Sequence, residues 1–471
     1  MSEIELSDAP ASGGPSGGSE LDEDDRLKPA FVRAVLDAVE AGDAEAARAL
    51  VAPLHPADIA DLFELTPGDE RDALAAALAD LLDADLFAEM NDYVREDLID
   101  ELSATQVADI ASELDTDDAV AIIEDMEPAD QREVLRAMEP DDRAAIEEAL
   151  GYPEESAGRL MQRELIAVPE HWTIGDAIDY LRGHDELTTD FWEVFVVDGR
   201  HHPVGTCALS WILRTPRSVP IADVMKREQT LIPVDMDQEE VALRFQKYAL
   251  ISAAVVDGSG RLVGMITVDD IVHIIQEEAG EDTLRLAQAG DGDINEPILV
   301  TVRTRVTWLI VNLGATMLSA SVVGLFQGEI ARFALLAALM PIVSALGGNA
   351  GTQTLAVVVR AIATNQLTSS NTAWMLLREF RIAIANGAAL GTVGAIGSYV
   401  FFHNPALSLV FALAMILNSL VAGLVGVLVP VTLDKANVDP AVSSAVFVTT
   451  MTDVMGFFSF LGMAAWWGLS G

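Results

Sequence analysis

Five long apolar segments follow one another through the last third of the chain, and they decide what it can fold into. They run over about 306–326, 333–362, 382–402, 406–433 and 441–469. Each meets or exceeds the roughly 20 residues that a helix needs to cross a bilayer. Hydrocarbon offers the backbone no hydrogen bonds, so segments of this length and composition satisfy their own N–H and C=O groups as helices. Residues 302–471 are therefore predicted to form a bundle of five transmembrane helices. The basic residues set its direction. Arg303, Arg305, Arg360, Arg378, Arg381 and Lys435 flank one side of the spans, and only Arg332 flanks the other. Cytoplasmic flanks collect Lys and Arg. The expectation is a multi-pass protein of the plasma (inner) membrane, with its N-terminus cytoplasmic and its C-terminus external.

Two polar features interrupt these spans. Residues 341–353, PIVSALGGNAGTQ, are glycine-rich and led by a proline. Asp453 is a carboxylate with no basic residue in its span. Polar backbone and charge at membrane depth are costly and are tolerated mainly where they line a path for water or ions. Gly347, Gly348 and Gly351 allow unusual backbone or close helix approach. A bend at Pro341 would turn carbonyls toward such a path. Asn349, Thr352 and Gln353 add neutral oxygens. With one carboxylate nearby, that set suits a hard cation that keeps part of its hydration shell. The blander readings are interhelical hydrogen bonding for Asn349 and a protonated structural side chain for Asp453. Gly387, Gly391, Gly394, Gly423 and Gly426 read as close helix packing, and Asn312, Asn386 and Asn418 as interhelical hydrogen-bond formers.

The rest of the chain is of another kind. Of the 28 basic and 74 acidic residues in the 471, residues 1–299 hold 21 and 69. So strong a negative charge excludes nucleic acid and anionic lipid as partners of this part and favours cations. Only four lysines appear, which also fits a surface adapted to high salt. The single cysteine, Cys207, excludes an internal disulfide. Residues 1–28 lack an apolar core and read as a disordered acidic tail. Residues 29–152 read as a helical domain of short amphipathic helices wound into a solenoid. Ser103 to Gln106 form a capping box, and Pro128 and Pro140 suit first helical positions. Residues 153–220 and 221–276 are a repeat of mixed strand and helix. Met161-Gln162-Arg163-Glu164 returns as Met225-Lys226-Arg227-Glu228. Val196-Val197-Asp198 with Gly205 returns as Val255-Val256-Asp257 with Gly264. Helices are expected at 174–181 and 239–248. Asp269 and Asp270 suit helix capping. Residues 277–301 read as a connecting helix whose like-charge i,i+4 pairs, Glu277 with Glu281 and Glu278 with Asp282, destabilise it unless cations compensate.

The repeated unit resembles a tandem pair of CBS domains, which implies a pseudo-twofold module that binds adenine nucleotides such as ATP. The pattern is weaker around His201, His202 and Pro203. The whole chain past Pro29 resembles the MgtE family of magnesium channels. The resemblance rests on Tyr152 to Gly158, Thr267-Val268-Asp269-Asp270, Glu277 to Asp282, Gly347 to Gln353, Arg378-Glu379-Phe380, and Asp439-Pro440-Ala441 followed by Thr452 to Gly456. It implies a homodimer with the pore between two five-helix bundles, Asp453 of each chain holding hydrated Mg2+, and Gly348, Asn349, Thr352 and Gln353 nearby. It also implies that regulatory Mg2+ closes the pore, with Asp117, Asp118, Asp269, Asp270, Glu277, Glu278, Glu281 and Asp282 as its candidate ligands. The competing expectations are a coupled secondary transporter of Mg2+, Co2+ or Ni2+, and a non-transporting membrane-anchored sensor. No nucleophile–base arrangement or phosphate loop marks an enzyme.

Overall fold

The structure is a computed structural model, and it describes residues 20–468 apart from 125, 184–190, 290, 291 and 293. The chain forms two compact units, residues 1–274 and 275–471.

The first unit begins, among the described residues, with ten short helices: α1 (Pro29–Glu40), α2 (Ala44–Val51), α3 (Pro56–Glu64), α4 (Gly68–Ala77), α5 (Ala84–Glu89), α6 (Asp92–Ile99), α7 (Ala104–Glu113), α8 (Thr116–Glu124), α9 (Pro128–Ala137) and α10 (Pro140–Ala149). Their starts are written into the sequence. Proline opens α1, α3, α9 and α10. Asp43, Asp83 and Asn91 accept first-turn N–H groups of α2, α5 and α6. Ser103 and Gln106 close the expected capping box on α7. The helices stack alternately, α3 on α5, α5 on α7, α7 on α9 and α8 on α10. This buries Phe63, Phe87, Val94, Ile123 and Val134 in one continuous core. The tail drawn at 1–28 lies outside the described residues as far as 19. Its last part is not free: Leu21 bridges to Leu27, and Leu27 is buried in the helical core.

The repeats follow. The first is β1 (Ala167–Pro169), α11 (Ile174–Gly183), β2 (Glu193–Val197), β3 (Pro203–Ala208) and α12 (Leu209–Arg214). The second is β4 (Leu231–Pro233), α13 (Gln238–Tyr248), β5 (Ser252–Val256), β6 (Leu262–Thr267) and α14 (Val268–Ala287). In each, a short strand runs parallel to the first strand of an antiparallel hairpin. The residues that recur in sequence do the same work twice. Asp198 closes the first hairpin by accepting N–H bonds from Arg200 and His202, at 2.8 and 2.9 Å. Those bonds hold its carboxyl low, at about 2. Asp257 closes the second by accepting from the N–H groups of Ser259 and Arg261, at 2.8 and 3.0 Å.

The leading segments are exchanged, which the sequence did not announce. Gln162, ahead of the first repeat, pairs through backbone bonds with Met265 of the second. Lys226, ahead of the second, pairs with Thr206 of the first. Gly205 and Gly264 are the residues that let these segments lie flat. A Cβ on Gly264 would stand 2.9 Å from the Gln162 carbonyl oxygen and 2.7 Å from the Met161 sulfur; one on Gly205 would stand 2.9 Å from both the Lys226 carbonyl oxygen and the Met225 sulfur.

The second unit holds α15 (Ile298–Leu325), α16 (Gln327–Arg332), α17 (Leu335–Ala363), α18 (Thr372–Phe402), α19 (Pro405–Lys435) and α20 (Pro440–Trp466). Five of these helices are long and apolar enough to cross a membrane. The most buried is α19, against which α17, α18 and α20 pack, while α15 lies on α20. Three boundaries differ from the expectation. The third span begins at Thr372, because helix continues through the charged Arg378-Glu379-Phe380-Arg381 where a hydropathy reading stops. The connecting helix, α14, starts at Val268 and ends at Ala287. Residues 298–301 already belong to α15, and α16 is an addition.

Replacing Gly264 with valine is expected to destabilise the protein by roughly 1–3 kcal/mol, the usual cost of forced overpacking. Thermal unfolding of the purified chain, compared with a Gly258→Val control where a Cβ meets nothing within 4 Å, measures it.

Candidate functional site

The glycine-rich stretch is helical throughout, so its backbone is not unwound; Gly347 and Gly351 serve close approach, while a Cβ on Gly348 would meet nothing within 4 Å. Gly347 faces the Asn418 amide so closely that a Cβ would overlap it, at 2.0 Å. Gly351 faces Val448 and Thr452, and Gly456 of α20 faces Asn418 from the other side. Asn418, buried on α19, donates through Nδ2 to the Val343 carbonyl at 2.9 Å. It is the interhelical bond expected of it. Asn312 also bonds across the unit, donating to Gln288 at 2.8 Å.

This packing brings α17 and α20 together around Asp453. The Ser344 hydroxyl donates to Asp453 Oδ1 at 2.5 Å, and no ion pair to Asp453 exists among the described residues. Ser344, Gly348 and Thr352 recur at intervals of four, and so share one face of α17. The Thr352 hydroxyl is turned back onto the Gly348 carbonyl at 3.0 Å. Asn349 and Thr352 are exposed on the bundle, and Asp453 is half-buried. Gln353 is placed elsewhere: it lines a cavity of about 180 Å³ bounded by α17, α18 and α19. The structure thus joins Asp453 to Ser344, on the face of α17 that also carries Gly348 and Thr352, leaves Asn349 exposed one residue from Gly348, and has Gln353 lining a different space. Sequence reasoning missed Ser344. Its signal was the interval of four to Gly348.

In the first unit the acidic residues sort unequally. Asp117 and Asp118 open α8, and Asp270 opens α14. Burial pushes the Asp118 carboxyl up to about 6, and the charge of Asp270 adds to it. Burial and the same neighbour raise Asp117 well above the carboxylate range, and its Oδ1 is buried with no hydrogen-bond partner. Asp270 is raised by burial as well, although one of its oxygens accepts from the Thr267 hydroxyl at 2.6 Å as a helix cap. The capping expectation and the charge cluster are therefore both true of Asp270. Asp269 is exposed. Among the described residues no three acidic, His or Cys side chains converge at metal-ligand spacing.

Along α14, Glu281 is answered by Arg285 of its own helix, and Arg285 also donates to Asp439 at 3.0 Å. Asp439 in turn caps α20 through the Ala441 N–H. Leu286 packs on the cluster of Leu355, Val359, Ala441 and Val448. The end of α14 is thus pinned to the first turn of α20 and the last turns of α17, the helices that carry Asp453 and Ser344. Glu277 is exposed and Glu278 half-buried. The side chain of Asp282 lies outside the described residues. The sequence signal missed here was Arg285, placed four residues after Glu281.

The comparisons with known proteins agree with this division. The MgtE intracellular N domain matches residues 54–155, the CBS domain matches 157–209 and 221–277, and the MgtE divalent cation transporter domain matches 340–463. The chain is 32% identical over 320 residues to the magnesium transporter MgtE of Enterococcus faecalis, a match covering 68% of this chain and 71% of that one. It is 30% identical over 321 residues to the magnesium transporter MgtE of Bacillus subtilis, with the same coverage. Among solved structures, the cytosolic domain of the Mg2+ channel MgtE in complex with ATP is similar at 26% identity and a TM-score of 0.47, covering 52% of this chain and 99% of that one. With three domain types in this order and relatives matched over more than two thirds of their length, the chain belongs to the MgtE family of divalent cation transporters.

Proposed function

We propose that the chain is a Mg2+-selective channel that imports Mg2+ passively across the plasma membrane and is closed by cytoplasmic Mg2+. The observation that carries this is Asp453, a carboxylate in an apolar bundle whose partner is a serine hydroxyl and not a cation. A charge so placed is stable only against water or an ion. The polar face made by Gly348, Asn349 and Thr352 beside it supplies neutral oxygens to a hydrated ion. Exposed on a single bundle, that face needs a second copy to cover it, which supports a homodimer with the path between the two chains. The relatives named above, both magnesium transporters, support Mg2+ as the cargo. The six basic residues on one flank support a cytoplasmic N-terminus and an external C-terminus.

Regulation falls to Asp117, Asp118, Asp269 and Asp270, and to Glu277, Glu278, Glu281 and Asp282 along α14. Without Mg2+ these charges repel; Mg2+ held among them favours whichever arrangement brings them closest. A ligand shifts a conformational equilibrium only by its different affinity for the two states. The pinning of α14 by Arg285 and Leu286 supports this helix as the element that carries the shift to the path. The repeats are the place for an adenine nucleotide such as ATP.

Three outcomes test the proposal. Asp453→Ala lowers Mg2+ flux into liposomes by at least about tenfold, the loss expected when a membrane-embedded charge that binds the cargo is removed; unchanged flux excludes Asp453 from the path, and flux that needs a proton or Na+ gradient excludes passive conduction. A Glu277→Gln, Glu278→Gln double variant conducts at Mg2+ concentrations that close the wild type; retained inhibition places the sensor elsewhere. The raised carboxyls of Asp117, Asp118 and Asp270 fix the sign of a pH effect. Their folded values stand above the unfolded ~3.9, so folding favours their protonated forms, and that contribution is lost as pH rises through the folded values, about 6 for Asp118. Without divalent ions, the melting temperature rises as pH falls from about 7 to 5. Saturating Mg2+, which binds the ionised forms, flattens the dependence.

A further inference from the structure

A buried carboxylate lies on one of the membrane-spanning helices, and nothing above gives it a role. Glu379, on α18, is 5% exposed. Its Oε2 accepts from the buried Thr354 hydroxyl of α17 at 3.2 Å, and its Oε1 accepts from Arg378 Nη1 at 2.7 Å. The Glu379 side chain is buried, whereas that of Arg378 is 46% exposed. The pair is therefore lopsided: the anion is fixed inside the bundle and the cation hangs at its edge.

The carboxylate borders the cavity of about 180 Å³ between α17, α18 and α19, whose polar lining is Gln353, Thr354, Arg378, Glu379, Asn386 and Ser419. The space is roomy enough for several waters. Gln353 and Asn386 are exposed amides with no hydrogen-bond partner among the described residues. Amides facing acyl chains without partners would be strongly unfavourable, so this groove is wet or covered by polar groups. One fixed anion, two free amides and two hydroxyls around water make the donor set of a hydrated divalent cation, which gives up its waters reluctantly.

We propose that this cavity is an inner subsite for the transported cation, distinct from Asp453, in which Arg378 is the resident counter-ion of Glu379 and leaves the carboxylate when a hydrated divalent ion arrives. The inference rests on the reading of the chain as a cation conductor, and adds to it a second station near the charged start of α18. Arg378 keeps Glu379 neutralised while the subsite waits, so an anion is never left bare at membrane depth. Being half-exposed, its guanidinium can leave toward the membrane flank without dragging the carboxylate along.

Two measurements on the full-length chain decide it. The first is anomalous diffraction from crystals soaked in Mn2+. Density beside Glu379 is expected in the wild type, and its loss with density at Asp453 retained is expected in Glu379→Gln. The second is Mg2+ flux in liposomes. Glu379→Gln is expected to raise the half-saturating Mg2+ concentration about tenfold with the maximal rate little changed, and Arg378→Gln, which removes a competing positive charge, is expected to lower it. If Glu379 only anchors Thr354, Glu379→Gln and Thr354→Val lower the maximal rate alike and Arg378→Gln does nothing. That result, or no Mn2+ density in the wild-type cavity, overturns the proposal. Should Glu379→Gln fail to fold, the wild-type density and the Arg378→Gln shift still decide. Full flux in Asp453→Ala would sink the channel reading while leaving the density at Glu379 to be judged by itself.

Discussion

The membrane interior supplies no hydrogen bonds, and the second unit is arranged around that shortage. Most of its hydroxyls are spent on their own helix: Thr352 bonds to the Gly348 carbonyl, Thr449 to Ala445, Thr450 to Val446. Asn418 is spent on α17. Ser344 and Thr354 are different, because each reaches across to a carboxylate on a neighbouring helix, Asp453 and Glu379. Buried Ser398, Ser444 and the Asn418 Oδ1 are left without a partner among the described residues, and two larger polar groupings stand out beside the carboxylates. One is the face of Gly348, Asn349 and Thr352 beside Asp453. The other is the groove of Gln353 and Asn386 beside Glu379. Function is proposed where internal satisfaction stops.

Glycine makes this arrangement geometrically feasible. Gly347 and Gly456 press on Asn418 from two helices, and Gly426 receives the Gly351 backbone from a third direction. A bundle built with larger residues would hold its helices farther apart, and neither Ser344 nor Thr354 would span the gap to its carboxylate. The stretch that looked like an interrupted helix is instead a helix with its side chains removed on one face.

Much of this could be read from residues alone. Hydropathy located the five spans, because length and apolarity are one-dimensional properties. Capping signals located the helices of the first unit for the same reason: Pro128, Pro140 and the box at Ser103 act within a turn of themselves. The repeat was visible in Asp198 with Gly205 and Asp257 with Gly264. What stayed hidden depended on distant partners. Ser344 is ordinary until Asp453, more than a hundred residues on, stands beside it. Gln353 and Thr352 are neighbours in sequence but face different spaces, since one residue turns a helix by about 100°. Arg285 looked like one more charge until Asp439 closed the other side. The third span was begun late because Arg378, Glu379 and Arg381 lower the local hydropathy, although helix passes through them without a break.

The exchange of leading segments between the two repeats bears on synthesis. The outer edge of β3 is covered by Lys226, and the outer edge of β6 by Gln162. As the chain leaves the ribosome, the first repeat emerges with a bare sheet edge that its own residues cannot close, and Gln162 waits for a strand made about a hundred residues later. Neither repeat can mature alone, and an unpaired edge invites association with another chain. The excess of acidic over basic residues in 1–299 opposes such association by mutual repulsion. For a nascent membrane protein held near its neighbours on a polysome, that repulsion protects assembly independently of any ion the finished protein handles.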